Sequence, residues 1–191
     1  MIIFDLDGTL ADCEHRRHFV DPCKNLISTG GIGECDFRPG WKPDWQAFYE
    51  ACDKDVPIEP VCDVFRKTMM HNKALNTHGW EIWSGRCESV RDKTLKWLVE
   101  NLCPYFNLDR YWNNRLKMRP IGNTESDEVL KERWLDEMIQ NSIGKFMLKE
   151  KTEHQGVNEI DFVFDDRPKV IRMWRRRGIF VFNCCQHDEE F

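Results

Sequence analysis

The most informative absences in this chain concern membranes and secretion. None of its apolar runs approaches the roughly 20 residues that a membrane-spanning helix needs. The apolar run at the start covers only residues 1–4, which is too short for the apolar part of a secretory signal peptide. We therefore expect a protein with neither a membrane partner nor a secretory signal.

The cysteines lack the spacings of a disulfide scaffold or a zinc site. There are nine, an odd number, and no C-x-x-C motif occurs, so reduced thiols in a cytosol are the favoured interpretation. Cys13, His15, His18 and Cys23 lie close together, but their spacing matches no common zinc-ligand pattern. Zinc is the disfavoured interpretation of these four residues.

The chain also lacks an excess of positive charge. Its formal net charge is −5, which argues against a protein that coats nucleic acid through a broad basic surface. This charge does not exclude a site for a single nucleic-acid end. With 191 residues, 41% of them hydrophobic, the chain is long enough for one domain with a sizeable core. We predict a single domain over residues 1–191.

Short apolar runs alternate with helical patterns along the chain. Four runs predict buried strands: residues 1–4, 80–83, 161–164 and 178–182. The helical patterns between them cover residues 61–75, 90–98 and 129–138. This alternation favours the α/β class, with a Rossmann-like parallel sheet flanked by helices. Ligands of such sheets lie beyond the carboxyl ends of the strands.

Two carboxylates follow the first predicted strand in the motif D-L-D-G-T-L, residues 5–10. Because side chains alternate along a strand, Asp5 and Asp7 reach one site only if the backbone turns, and Gly8 permits that turn. One carboxylate of such a pair can attack an electrophilic phosphorus while the other transfers a proton. The alternative interpretation is an exposed acidic turn.

Further polar groups follow the later strands. Ser84, Gly85 and Arg86 come after the second strand and predict an anion site at a helix N-terminus, although a serine cap with a solvated arginine is the alternative. Asp165 and Asp166 come after the third strand. Adjacent carboxylates repel each other unless a cation lies between them, and Mg²⁺ is the usual cation beside phosphate. A solvated acidic turn is the alternative there.

These motifs together resemble the haloacid-dehalogenase-like (HAD) phosphatases, which implies the HAD fold. D-L-D-G-T-L matches the first motif of that superfamily in full, and S-G-R matches its second. Lys131 lies in the first turns of a predicted helix, in a region where the superfamily has a lysine that offsets negative charge. Its alternative role is a surface lysine paired with Asp127, four residues earlier.

The later part of the chain is similar to one branch of that superfamily, the 3′-phosphatase domain of bacteriophage polynucleotide kinase-phosphatase. The similarity is carried by residues 165–178 and by the stretch from Arg119 to Lys131, with a D-x-V-x-K helix start. Residues 48–60 resemble that domain more faintly. Two departures are evident: no G-x-x-x-x-G-K-[ST] kinase motif occurs, and residues 21–47 are extra sequence.

The resemblance implies a role for each matched residue. Asp5 would be the nucleophile that forms an aspartyl-phosphate, Asp7 the general acid and then the base, and Lys131 a catalytic cation. The phosphate and substrate would be held by Thr9, Arg16, Ser84, Gly85, Arg86, Arg119 and Asp127. Mg²⁺ would be bound by Asp5, the Asp7 carbonyl, Asp165 and Asp166.

Three functions remain open at this point. The first is a Mg²⁺-dependent polynucleotide 3′-phosphatase, and the second is a 5′(3′)-nucleotidase that acts on free (deoxy)nucleoside monophosphates. The third, a non-catalytic phosphate-binding module, is disfavoured because Asp5 and Asp7 are both present. We expect a small cap insertion at about residues 21–58, with Trp41, Trp45 and Phe48, to decide between the first two.

The resemblance also implies partners and a location. Because the kinase motif is missing, we expect no phosphorylation of 5′ ends and a possible separate kinase or ligase partner. The expected location is the cytoplasm, and the host cytoplasm if a phage encodes the protein.

Overall fold

The computed structural model describes residues 1–28, 40–75, 79–102, 112–148 and 160–185. Seven strands lie in these ranges: β1 Ile2–Phe4, β2 Ala11–Asp12, β3 Val56–Pro57, β4 Trp80–Cys87, β5 Leu116–Arg119, β6 Phe162–Asp165 and β7 Phe180–Asn183. The α-helices are α1 Pro22–Ser28, α2 Trp45–Glu50, α3 Glu59–Leu75, α4 Arg91–Leu102, α5 Asp127–Leu148 and α6 Pro168–Arg176. Short 3₁₀ helices cover Glu14–Phe19, Cys52–Lys54 and Glu88–Val90.

Five of the strands form one parallel sheet in the order β5-β4-β1-β6-β7. The central strand β1 is buried at all three of its residues, as expected for a strand covered on both faces. The chain adds β4 and β5 on one side of β1 and later adds β6 and β7 on the other. The crevice beyond the end of β1 is therefore the topological switch point, where sheets of this kind bind ligands.

Two hydrophobic clusters cover the two faces of the sheet. On one face, Phe4 stacks on Phe164 with ring centroids 4.6 Å apart and meets Phe65 of α3 edge to face at 5.0 Å. On the other face, Trp83 of β4 contacts Trp134 of α5 and Trp174 of α6. Both faces are thus closed by large apolar side chains, which hold the strand ends in a fixed arrangement.

The predicted α/β class and parallel sheet are confirmed, with differences in detail. The second predicted strand continues through Ser84, Gly85 and Arg86 to Cys87. The strand β5 was not predicted, although Leu116 and Met118 alternate with charged residues and are buried. The helix predicted around Lys131 is confirmed, because α5 begins at Asp127 and Lys131 lies in its first turns.

The predicted insertion at 21–58 contains regular structure in its described part. It includes α1, α2 and β3, and β3 pairs antiparallel with β2 in a separate two-stranded sheet. The predicted insertion is therefore structured in these residues, while residues 29–39 lie outside the described part. Its role as a cap stays a prediction.

Candidate active site

The first strand leads into a tight turn that carries Asp5 and Asp7. The Gly8 N–H donates to the Ala11 carbonyl at 2.8 Å, and Gly8 has a φ of +84°, in the region that favours glycine. A Cβ at this position would overlap the Asp166 carboxylate. The predicted turn at Gly8 is confirmed, and glycine is needed both for its backbone and for its closeness to Asp166.

Three carboxylates meet at the ends of β1 and β6. Ligand oxygens of Asp5, Asp165 and Asp166 all lie within 4.8 Å of one another, and all three side chains are buried. Lys131 from α5 reaches between them, because its Nζ donates to Asp5 Oδ1 at 2.7 Å and to Asp165 Oδ2 at 2.8 Å. The alternative interpretation of Lys131 as a surface lysine is therefore wrong.

The electrostatics of this cluster show a shortage of positive charge. Burial raises the pKa of Asp5 well above its usual range, and although Lys131 opposes this, Asp165 and Asp166 raise it further. Burial and then the Asp165 charge raise the pKa of Asp166 to about 6. Three carboxylates with one bonded ammonium group suit a hard divalent cation with oxygen ligands. The donor set therefore fits the Mg²⁺ that the sequence implies.

The Asp7 side chain points into a second cluster, which contains two arginines and another carboxylate. Asp7 Oδ1 accepts hydrogen bonds from Arg16 Nη2 at 2.6 Å and from Arg86 Nε at 2.8 Å. Asp55 accepts from the same two guanidinium groups. Burial is the largest influence on the pKa of Asp7 and would raise it, but Arg16 and Arg86 together hold it well below its usual range. Asp7 is therefore ionised in this arrangement.

Asp55 is a site residue that the sequence interpretation missed. It lies just before β3, within the predicted insertion, and its side chain is fully buried. The faint similarity at residues 48–60 included both Asp53 and Asp55. Their residue type gave no way to separate the buried carboxylate from the exposed one.

Ser84, Gly85 and Arg86 are brought to the site, but from a strand and not from a helix N-terminus. They lie within β4, and a 3₁₀ turn at Glu88–Val90 separates them from α4. The Ser84 hydroxyl accepts a hydrogen bond from the Arg86 backbone N–H at 3.1 Å. The Arg86 Nη1 atom is buried and has no hydrogen-bond partner among the described residues. A buried donor of this kind is available to an anion.

A third group joins Asp127 to two arginines. Asp127 Oδ1 accepts from Arg119 Nη2, and Asp127 Oδ2 accepts from Arg167 Nη1. A Cβ at Gly85 would lie 2.6 Å from Asp127 Oδ1, so glycine permits this approach. Arg167 lies within the similarity at residues 165–178, but the sequence alone assigns it no role. Asp127 therefore orients two arginines at the edge of the site.

Of the remaining candidate residues, Thr9 lies in the site and the possible zinc ligands do not form a metal site. Thr9 lies in the site, where its hydroxyl donates to Asp166 Oδ1 at 3.4 Å. The zinc set is not gathered in the described part of the chain: His15 Nε2 lies 2.9 Å from Asp55 Oδ1, and Cys23 is disulfide-bonded. The expectation of reduced thiols is therefore wrong for Cys23, whereas the other cysteines among the described residues are free.

Within the described ranges, no helix has both the length and the apolar character needed to cross a membrane.

Comparison with known proteins points to one family. The family model "Polynucleotide kinase PNKP phosphatase domain" matches residues 46–189. The D-L-D-G-T-L motif lies before the start of that match. Its inclusion in the candidate active site therefore depends on the geometry described above. The matched part contains β4, β5, β6, α5 and every site residue that they carry.

Two similar proteins are larger than this chain. A "putative bifunctional polynucleotide kinase/RNA ligase" of Autographa californica nuclear polyhedrosis virus is 33% identical over 109 residues, which cover 56% of this chain and 12% of that protein. A chain in the "Structure of Pnkp1/Rnl/Hen1 complex" superimposes with a TM-score of 0.50 at 23% identity, over 98% of this chain and 46% of that chain. The second similarity concerns the fold alone.

Proposed function

The chain belongs to the family of the polynucleotide kinase PNKP phosphatase domain, and from this membership we propose that it removes phosphate from nucleic-acid 3′ ends. It is a phosphatase of the HAD superfamily. The observation that carries the proposal is the contact of Asp5 with Lys131 beside Asp165 and Asp166, next to the arginine-bound Asp7. A nucleophile, a cation and a proton carrier thereby share one buried crevice.

Phosphate binding begins the proposed reaction. The phosphoryl oxygens accept hydrogen bonds from Lys131 Nζ and from the buried Arg86 Nη1, which is otherwise unpartnered among the described residues. As the guanidinium groups of Arg86 and Arg16 turn toward the phosphate, they bond Asp7 less strongly. The pKa of Asp7 then rises from its lowered value, and Asp7 takes up a proton from solvent before it acts as an acid.

Two displacements at phosphorus follow. In the first, an Asp5 carboxylate oxygen forms a bond to phosphorus, the bond from phosphorus to the 3′ oxygen breaks, and Asp7 gives its proton to that oxygen. In the second, Asp7 takes a proton from water as the water oxygen attacks the aspartyl-phosphate. Inorganic phosphate leaves, and Asp5 is regenerated as a carboxylate.

Mg²⁺ fits the three-carboxylate cluster, and Asp5, Asp165, Asp166 and the Asp7 carbonyl would hold it. When bound, it supplies positive charge that stabilises the crowded phosphoryl and carboxylate oxygens. Asp127 keeps Arg119 and Arg167 at the edge of the crevice, where they attract the remaining negative charge of a strand end.

The cellular setting is proposed from the same family membership. The name of the family joins this domain to a polynucleotide kinase, and the similar viral protein is named as a polynucleotide kinase/RNA ligase, so a separate kinase or ligase is the partner that we propose. The location that we propose for this activity on nucleic-acid ends is the cytoplasm.

The test measures phosphate release with Mg²⁺ from a 3′-phosphorylated oligonucleotide and from matched 3′- and 5′-mononucleotides. We expect the oligonucleotide to give the highest kcat/KM. Asp5→Asn should lower kcat by at least about a thousand-fold, and Asp92→Asn, which alters an exposed carboxylate on α4, should leave kcat unchanged. Activity retained by Asp5→Asn would overturn the mechanism. A preference for mononucleotides would identify a nucleotidase instead.

A further inference from the structure

An exposed aromatic ring lies on the short helix α2. The Trp45 side chain is 47% exposed, whereas Phe48 on the same helix is buried. The ring centroids of Trp45 and Tyr49 are 6.1 Å apart, with an interplanar angle of 30°. Residues four apart lie on one side of a helix. Trp45 and Tyr49 therefore form one surface, which we name the aromatic face.

The aromatic face borders the candidate active site. The Tyr49 hydroxyl donates to the Gly85 carbonyl at 3.4 Å, and that carbonyl also accepts from Arg119 Nε at 3.0 Å. Gly85 directly precedes Arg86, whose buried Nη1 is the proposed phosphate donor. Tyr49 therefore borders the proposed phosphate site, and Trp45 lies one helical turn away on the same face.

Helix α2 is fixed to Arg16, one of the two arginines that bond Asp7. Arg16 Nη1 donates to the Phe48 carbonyl at 3.1 Å, and the Arg16 guanidinium carbon lies 4.1 Å from the centroid of the Phe48 ring. Asp44 caps the helix by accepting from the Ala47 N–H at 2.9 Å. The aromatic face therefore keeps a constant position relative to the phosphate site.

We propose that the aromatic face binds the terminal nucleobase of the substrate by stacking, with Trp45 as the main contact. This inference rests on the proposed function, because it requires a nucleotide phosphate in the crevice. Every base has a flat aromatic surface, so a tryptophan platform holds a strand end without choosing its sequence. A preference for any one base would need hydrogen bonds to the edge of that base, which stacking on a ring face does not supply.

The test compares two oligonucleotides that differ in one group. Both carry a 3′-phosphate, but in one the terminal nucleotide lacks its base. We expect the unmodified protein to show a kcat/KM about ten-fold higher for the complete oligonucleotide, mainly through KM, which corresponds to about 1.4 kcal/mol of stacking. Trp45→Ala should bring the ratio near one, and Trp45→Phe should restore most of it.

Phe180→Ala provides the matched control, because Phe180 is also an exposed ring (64%), on the edge strand β7. Its ratio should equal that of the unmodified protein. A ratio that Trp45→Ala does not change, with both substrates still hydrolysed, would overturn the stacking proposal alone. Absence of phosphate release from both substrates by the unmodified protein would overturn the proposed function as well. The 3′-mononucleotide, measured in parallel, shows whether a free nucleotide uses the same face.

Discussion

Asp55 holds Arg16 through a pair of hydrogen bonds: Arg16 Nε donates to Asp55 Oδ1 and Arg16 Nη2 donates to Asp55 Oδ2, both at 2.7 Å. Neither side chain is exposed. Paired bonds of this kind fix the plane and direction of a guanidinium group. Because the same Nη2 also donates to Asp7, Asp55 acts as a positioning residue that aims Arg16 at the proposed general acid.

Replacing Asp55 by alanine should therefore reduce both stability and activity. The change leaves Arg16 and Arg86 with an unbalanced buried charge, which costs about 3 kcal/mol in the free energy of unfolding. Both arginines would then bond Asp7 without competition and hold its pKa lower still. We expect kcat to fall at least ten-fold, because Arg16 is no longer held in place. A ten-fold fall corresponds to an increase of about 1.4 kcal/mol in the activation free energy. Urea denaturation and phosphate-release kinetics measure the two effects.

Asp53→Ala is the control for that change. Asp53 lies two residues earlier and is exposed, so its replacement should alter stability by less than about 0.5 kcal/mol. Asp55→Asn keeps the shape of the side chain, so it should be more stable in urea denaturation than Asp55→Ala. Its kcat should nevertheless stay low. Normal kcat in Asp55→Asn would show that the carboxylate charge is not needed to position the arginines.

Gly8→Ala should abolish activity through a steric effect. Gly8 and Gly122 both have a positive φ, +84° and +80°, so alanine is strained at either position by about 1 kcal/mol. Only at Gly8 would the new Cβ overlap the Asp166 carboxylate, since nothing lies within 4 Å of a Cβ at Gly122. Thermal unfolding should show a loss of stability in both variants, and only Gly8→Ala should lose phosphatase activity. Equal activities would contradict the close approach of Gly8 to Asp166.

The main features of the fold could be predicted because they depend on local patterns. β1 is an unbroken apolar run in the middle of a sheet, and α3, α4 and α5 repeat their apolar residues at helical spacing. β5 escaped prediction because only four residues carry its alternation, and two of those are charged. The end of β4 was placed too early because Ser84 and Gly85 are turn formers that the sheet accommodates with a register shift.

The site residues also include some that the sequence could predict and some that it could not. Asp5, Asp7, Asp165 and Asp166 follow strand ends, so topology alone brings them together. Lys131 and Asp127 lie on one side of a helix start, and their spacing gave no sign that they serve different clusters. Asp55 could not be predicted, because only the tertiary fold buries its side chain and leaves Asp53 exposed.

Lys131→Met should remove the ammonium group that separates two buried carboxylates. Without it, the pKa of Asp5 rises further above its usual range, and less of the nucleophile is ionised at neutral pH. We expect kcat to fall at least about a hundred-fold and the acid side of the rate profile to move to higher pH. Lys96→Met, on the exposed side of α4, should change neither. An unshifted pH profile in Lys131→Met would contradict the proposal that Lys131 lowers the pKa of Asp5.

Asp166 should give the protein a pH-dependent stability that Mg²⁺ reverses. The pKa of Asp166 is about 6 in the folded protein, above its ordinary value of 3.8, so folding favours the protonated form. The stability from this proton is complete below about pH 4 and is lost as the pH rises through about 6. Asp5, whose pKa is also raised, contributes in the same direction. Without metal, the melting temperature should therefore fall across this range.

Mg²⁺ binds the deprotonated carboxylates, so the rise in melting temperature that it causes should be larger at about pH 8 than at about pH 5. Thermal unfolding in EDTA and in saturating Mg²⁺, across this range, measures both effects. Without metal, Asp166→Asn should show a smaller fall in melting temperature near pH 6 than the unmodified protein. Its melting temperature should also rise less when Mg²⁺ is added. Asp63→Asn, at an exposed carboxylate on α3, should retain both. A full Mg²⁺ response in Asp166→Asn would place the ion away from the three-carboxylate cluster.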